Sequence, residues 1–339
     1  MYDFKKGFDL IDHTILINKI YAMGLRSSYT RWLVAFLQDR KQKVRLPDGS
    51  TSGWKPITCG IPQGTLVGPI AFLAMINDAV AQEQHRLKYV DDLTVYQSCT
   101  IDRIEEKWKL QRVSDELCYW TSQNKMVLNA DKCQVMHFFT AKKPIVLPDI
   151  ALNETSLPIV TRTKLLGVNL SADLNWQVHV DTIVKKSSKA LYMLYIMKKF
   201  QAPREQLVKV YITYIRPLLE YCSSVFHAGL TANQANQLEK LQKRALKLIG
   251  GFDKSYQQLL QQFDLESLAD RREKLCLRFA KGLLRSSEHR DLLPPERGAI
   301  SNRITRNAHL LQPFRCGKRL RNSAIPHMTS MLNQHYLCE

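Results

Sequence analysis

The 339-residue chain has no run of about 18 uncharged apolar residues, so its sequence offers no membrane-spanning helix. It has no charged-then-apolar leader ending in small residues either, which excludes a secretory signal and sets the expectation of an intracellular protein, nuclear or cytoplasmic. Its eight cysteines lie far apart with no C-x-x-C pair. That argues against a structural zinc site or a disulfide framework, so no zinc is expected. Internal repeats and low-complexity segments are also missing. Acid is scarce relative to base: 31 Asp and Glu stand against 49 Lys and Arg, a net charge of +18.

That charge is unevenly placed. Residues 181–339 hold 27 Lys and Arg against 13 Asp and Glu, so most of the surplus lies in the C-terminal half. A basic half suits a polyanionic partner, most simply nucleic acid, and equally a well-solvated surface. Along the chain, Leu46-Pro47-Asp48-Gly49-Ser50 between β-compatible segments predicts a hairpin. Residues 68–82 predict a buried helix, and residues 101–121 an amphipathic one with Ile104, Trp108, Leu110, Leu117 and Trp120 facing inward. A strand-rich stretch follows over 125–170, broken by a loop at Lys142-Lys143-Pro144. From about 177 the period turns helical. In the helix expected over 233–249, Lys240, Lys243, Arg244 and Lys247 share one face, with Thr231 as a cap and Gly250-Gly251 as an end.

Two adjacent acids, Asp91 and Asp92, sit inside Lys88-Tyr89-Val90-Asp91-Asp92-Leu93-Thr94-Val95-Tyr96, with β-formers on both sides. A tight hairpin would expose both carboxylates and fix them for a hard cation, although polar turns of this composition also occur without one. Phosphoryl transfer with two metal ions needs oxygen ligands from at least two places in a fold. Asp3, in Tyr2-Asp3-Phe4-Lys5-Lys6-Gly7-Phe8-Asp9, offers the second place.

These residues carry a resemblance. Asp3 to His13 resembles motif A of the reverse transcriptases of non-LTR (LINE-like; jockey, CR1 or RTE-type) retrotransposons. Gly60-Ile61-Pro62-Gln63-Gly64-Thr65-Leu66-Val67-Gly68-Pro69 resembles their motif B, and Tyr89-Val90-Asp91-Asp92 their motif C. Trp120, Asn124, Leu128-Asn129 and Lys132 look like motif D. Lys164-Leu165-Leu166-Gly167-Val168, with Leu174-Asn175-Trp176 and His179, looks like the primer-grip region. The segments 216–223, 238–245 and 319–323 are similar to the thumb and post-thumb of these elements.

The resemblance implies an α+β fold: a right-hand polymerase palm of antiparallel sheet and packed helices over 1–175, a helical thumb over 176–255, and a basic helical C-terminal region over 256–339. It implies RNA-directed DNA synthesis, with two Mg²⁺ held by Asp3, Asp91 and Asp92. Lys132 would act as general acid toward pyrophosphate. Phe8 would lie under the nucleotide sugar and exclude a 2′-hydroxyl, with Gln63 and Gly64 also at the nucleotide. Gly7 departs from the usual Ala. Asp9, Asp12 and His13 would brace motif A without binding metal. Leu166 and Gly167 would meet the primer backbone, and Lys240, Lys243, Arg244, Lys247 and the cationic segment 315–321 the template–primer phosphates. The implied partners are an RNA template, a DNA primer and dNTPs, with no membrane. Because only Met1 and Tyr2 precede Asp3, the resemblance also implies an N-terminally truncated copy that begins at motif A. Its fingers would be missing or supplied separately, and the first palm strand is expected to fray. A catalytically inactive, basic nucleic-acid-binding remnant is the alternative.

Overall fold

The computed structural model describes residues 1–98, 109–139, 147–300 and 307–338, and its chain divides into two compact units, Met1–Thr161 and Arg162–Glu339. No helix among the described residues is long and apolar enough to cross a membrane.

The first unit is organised around residues 1–5. Tyr2 exchanges both backbone hydrogen bonds with Leu93, at 2.7 and 3.2 Å. On the other edge Lys5 N–H donates to Val127 O and Asn129 N–H to Asp3 O, each at 2.8 Å. Alternation along an extended segment turns Tyr2 and Phe4 to one side, and both are buried in the core. There the Tyr2 hydroxyl lies 2.7 Å from Ser114 Oγ, and the Phe4 ring meets Trp120 edge-on. The expected fraying is thus corrected: ladder bonds on both edges and two buried rings hold the segment.

Helices α1 (His13–Ala22) and α2 (Ser27–Leu37) follow. Asp12 caps α1, its carboxylate accepting from Ile15 N–H at 3.0 Å. The expected hairpin forms with Arg45 opposite Thr51, but its strands β1 (Lys41–Gln42) and β2 (Lys55–Pro56) are only two residues each. All four are exposed, so no apolar face extends the ladder.

Helix α3 (Val67–Ile76) is apolar nearly all round and stops six residues before the predicted end. Two lysines take its terminal carbonyls: Lys19 Nζ donates to Met75 O (3.0 Å), and Lys88 Nζ to Ile76 O and Asn77 O (2.9 Å each). Val80, at φ +43°, cannot continue a helix. Asp78 joins these parts, accepting from Lys19 (2.5 Å) and from Trp120 Nε1 (3.0 Å). Strands β3 (Arg86–Tyr89) and β4 (Asp92–Val95) form the next hairpin. Helix α4 (Leu110–Gln123) buries Leu117 and Trp120 as the period predicts, leaves Leu110 half-buried, and buries Val113, which was not among the expected inward residues. Ile104 and Trp108, assigned to the same helix, lie outside the described residues, as does the Lys142-Lys143-Pro144 loop. The stretch 125–160 holds the short pair β5 (Ala151–Leu152) and β6 (Thr155–Ser156), with single bridges at Phe4–Leu128 and Val135–Ile159.

The second unit opens with the hairpin β7 (Arg162–Leu165) and β8 (Val168–Ser171), then turns helical at α5 (Gln177–Lys199). After α6 (Arg204–Val210), a π-helical turn over Tyr211–Ile215 and the short α7 (Arg216–Glu220) and α8 (Ser223–Phe226) comes α9 (Ala232–Gly250). Thr231 and Gln234 cap α9 reciprocally, and Gly251 at φ +115° ends it. Helices α5 and α9 run parallel: Gln234 Nε2 reaches Asn175 and Gln177 at one end, and Lys198 Nζ reaches Leu248 O at the other. Helices α10 (Tyr256–Gln262), α11 (Leu268–Arg285), α12 (Arg297–Ile300), α13 (Lys318–Arg321) and α14 (Ala324–Cys338) complete the unit.

Its interior is partly polar. Gln242, fully buried, accepts from Tyr211 and donates to Tyr256 Oη and Glu266 O at 2.8 Å each. Burial is the first cause that raises both tyrosine pKa values, Tyr211 well above its usual range. Arg272 is fully buried beside them, its Nε 3.4 Å from His227 Nδ1.

Two substitutions test this account. Thr231→Ala removes one half of a reciprocal cap and is expected to cost about 1 kcal/mol in urea unfolding. Lys88→Met strips two donors from the end of α3 and is expected to cost roughly 1–2 kcal/mol. An unchanged urea midpoint in either variant contradicts the role given to that residue.

Candidate active site

The carboxylates converge from two segments of the first unit. Because Tyr2 pairs antiparallel with Leu93, Asp3 stands opposite Asp92, on the face turned away from Tyr2 and Leu93. Directly opposed residues have Cβ atoms about 5 Å apart. Asp91 occupies the two-residue turn between Tyr89 and Asp92. The Asp92 carboxyl is held above its usual pKa, first by burial and then by the charges of Asp91 and Asp3. Asp92 thus feels an acid from its own turn and one from a separate chain segment.

The turn that carries them is strained. Val90 sits at φ +55°, where a β-branched residue crowds its own backbone. Strain of this kind, of order 1–3 kcal/mol, persists only where the surroundings fix it. Here the fixing comes from four paired positions between β3 and β4, from Leu93 bonded to Tyr2, and from Lys88, two residues before the turn, bonded to the end of α3. Burial lowers the Lys88 pKa to about 8. Neither Lys88 nor this clamp was read from the sequence, where the residue appeared only as the start of a β-run.

Lys132 is the basic group brought to the acids: its Nζ lies 3.8 Å from Asp3 Oδ1. It follows Asn129, whose N–H is bonded to Asp3 O, so one ladder bond fixes its approach. Behind Asp3 lies the buried thiol of Cys133, which accepts from Asp3 N–H at 3.4 Å and which burial pushes above its usual pKa. No pattern in the sequence signals this contact.

Motif A and motif B are laced together. Gly60 N–H donates to Ile11 O (2.7 Å), Ile61 N–H to Phe8 O (2.9 Å), and His13 Nε2 lies 2.6 Å from Gly60 O. Gly60 has φ +84°, and a Cβ there would come within 2.8 Å of Asp9 O, so no larger residue fits. Asp12 forms an ion pair with Lys125 at 2.7 Å, which with the Ile15 N–H bond holds its carboxyl below the usual range. Asp9 accepts from Gln63 Nε2 at 3.2 Å. Gln63 and Gly64 are exposed, three or more residues before α3 begins, and the Thr65 hydroxyl takes the N–H of Gly68.

Phe8 stacks on Phe72 of α3, with centroids 4.5 Å apart and planes at 12°. A Cβ on Gly7 would meet the Phe72 ring at 3.0 Å. The ring therefore occupies the space that an alanine methyl would need, which gives the departure at Gly7 a steric reason.

The remaining candidates lie in the second unit. Leu166 and Gly167 form the two-residue turn between β7 and β8 at φ +45° and +87°, the signs of a type I′ turn. Tyr221 Oη donates to Leu166 O at 2.8 Å, and its ring lies against Gly167. On α9, Lys240, Lys243 and Arg244 are exposed and Lys247 is half-buried. In the segment 315–321, Arg315 and Arg321 are exposed.

Comparison with known proteins gives this geometry a context. The family model described as "Reverse transcriptase (RNA-dependent DNA polymerase)" matches residues 1–170. The chain is 26% identical over 263 residues to the RNA-directed DNA polymerase from mobile element jockey of Drosophila funebris, covering 74% of this chain and 28% of that protein. It is 22% identical over 318 residues to the probable RNA-directed DNA polymerase from transposon X-element of Drosophila melanogaster, covering 90% of this chain and 33% of that protein. The chain therefore spans about a third or less of the length of these relatives. Reverse transcriptases use divalent metal ions, nucleic-acid template and primer, and dNTPs. With that match and these mobile-element relatives, the chain belongs to the reverse transcriptase (RNA-dependent DNA polymerase) family.

Proposed function

We propose that this chain is the polymerase portion of a non-LTR retrotransposon reverse transcriptase, transferring dNTPs to a primer 3′-hydroxyl on an RNA template. The observation that carries the reading is the placement of Asp3 opposite Asp92, with Asp91 in the adjoining turn.

The donor set fits two Mg²⁺ ions. All three groups offer hard carboxylate oxygens, and Asp92 is raised in part by the other two acids, a repulsion that a bound cation relieves. When bound, such ions neutralise charge on the α-phosphate and acidify the primer hydroxyl. The chain's own residues do the rest. Asp3, Asp91 and Asp92 hold the metals, and the strained turn presents two of them. Lys132, tethered near Asp3, carries a proton for the pyrophosphate leaving group. The Phe8 ring, backed by Phe72, forms a fixed shelf for the sugar. Gln63 and Gly64 stand at the exposed loop before α3, within reach of the nucleotide. Leu166 and Gly167 offer backbone to the primer, and the exposed cations of α9 offer charge to the phosphates.

Three experiments test this reading. Purified chain is expected to extend a DNA primer on an RNA template with dNTPs and Mg²⁺, and Asp91→Ala to reduce extension at least about 100-fold. Equal extension by both proteins sinks the assignment. In EDTA, Asp92→Asn is expected to be more stable than the wild type by a few tenths of a kcal/mol, because like-charge repulsion at a largely exposed site is relieved. Added Mg²⁺ is expected to raise the thermal midpoint of the wild type and leave that of Asp3→Asn nearly unchanged. A rise of the same size in both would remove Asp3 from the ligand set.

A further inference from the structure

We propose that the outer face of α5 is a docking surface for single-stranded RNA, distinct from the basic face of α9. The choice of RNA rests on the reading above, since a template is the single strand such an enzyme must hold. The surface itself does not. Over 177–199 the helix carries five lysines and one acid, Asp181. Its apolar side, with Val180, Ile183, Ala190, Leu191 and Leu194, is spent on the core. On the opposite side Lys185, Lys189 and Tyr192 stand at i, i+4 and i+7, and Lys186 lies beside them, all exposed. Among the described residues, no carboxylate lies within ion-pair distance of these three lysines.

Aromatic rings are interleaved with the charge. Tyr192 is 66% exposed and Tyr195 48%, with centroids 6.4 Å apart and planes within 28° of parallel. Phe200, which follows the helix, is 80% exposed. Ring faces beside unpaired ammonium groups suit a strand whose bases are free to stack while its phosphates meet lysine. A duplex hides its base faces and gains only the charge. A membrane would be met by an apolar stripe flanked with base, but the apolar stripe of α5 is already buried, and the exposed rings of its outer face are phenols. Charge complementarity and stackable rings together select the single strand.

The test is fluorescence anisotropy with the full chain and a labelled 12-nucleotide RNA of mixed sequence, without metal or dNTP. A failure of polymerisation therefore does not touch the result. The doubly substituted Tyr192→Ala/Tyr195→Ala chain is expected to bind roughly ten-fold more weakly with an unchanged salt slope, because stacking carries no counterions. Lys185→Gln/Lys189→Gln is expected to flatten the salt slope by about 1.4, at about 0.7 per phosphate of a single strand. All four side chains are exposed, and matching circular dichroism spectra check that the folds are intact. The same RNA as a duplex should lose little affinity with the tyrosine variant, and single-stranded DNA of the same sequence should bind the wild type no more tightly than the RNA. Unchanged RNA affinity in the tyrosine variant overturns the proposal, as does tighter binding of the DNA. So does a loss, with RNA affinity intact, of self-association or of binding to vesicles of phosphatidylserine and phosphatidylcholine.

Discussion

Backbone pairing of residues 1–5 on both edges is the constraint on which the first unit depends. One edge fixes the acidic hairpin through Tyr2 and Leu93, and the other fixes the segment that carries Lys132 through Asp3 and Asn129. Register then does the chemistry's work of placement. A shift by one residue would send Asp3 into the core and Tyr2 or Phe4 toward solvent, and the burial of those two rings forbids it. The placement of the acids is therefore secured by hydrophobic burial on the opposite face.

The acids meet at a cost that the surroundings absorb. Like charges stand across a strand pair, and a valine is held at positive φ beside them. Neither would persist in an isolated hairpin. Lysines at the end of α3 and the Asp78 contacts to Lys19 and Trp120 bind α1, α3 and α4 into the scaffold that holds the turn. This is the usual division between a strained site and an over-determined support.

Much of this could be read in advance because it is local. The Asp91-Asp92 hairpin follows from β-formers around two polar residues, and the cap and cationic face of α9 follow from Thr231, Gln234 and the spacing of its lysines. What depends on partners distant in sequence could not. The end of α3 is decided by Lys19 and Lys88, one 57 residues before the end of the helix at Ile76 and the other 12 after it. The stability of Asp3 rests on Val127 and Asn129, and Gly7 is explained only by the ring of Phe72. In the second unit, Gln242 and Arg272 read as surface residues by type, and both are buried in a hydrogen-bonded interior.

The Lys88 bonds to Ile76 and Asn77 carry one more consequence. Helix α3 is a stiff rod about 15 Å long, with the Gln63-Gly64 loop before one end and the root of the acidic hairpin tied to the other. The hairpin that carries Asp91 therefore takes the position of its root from the last turn of α3 as well as from its own two strands.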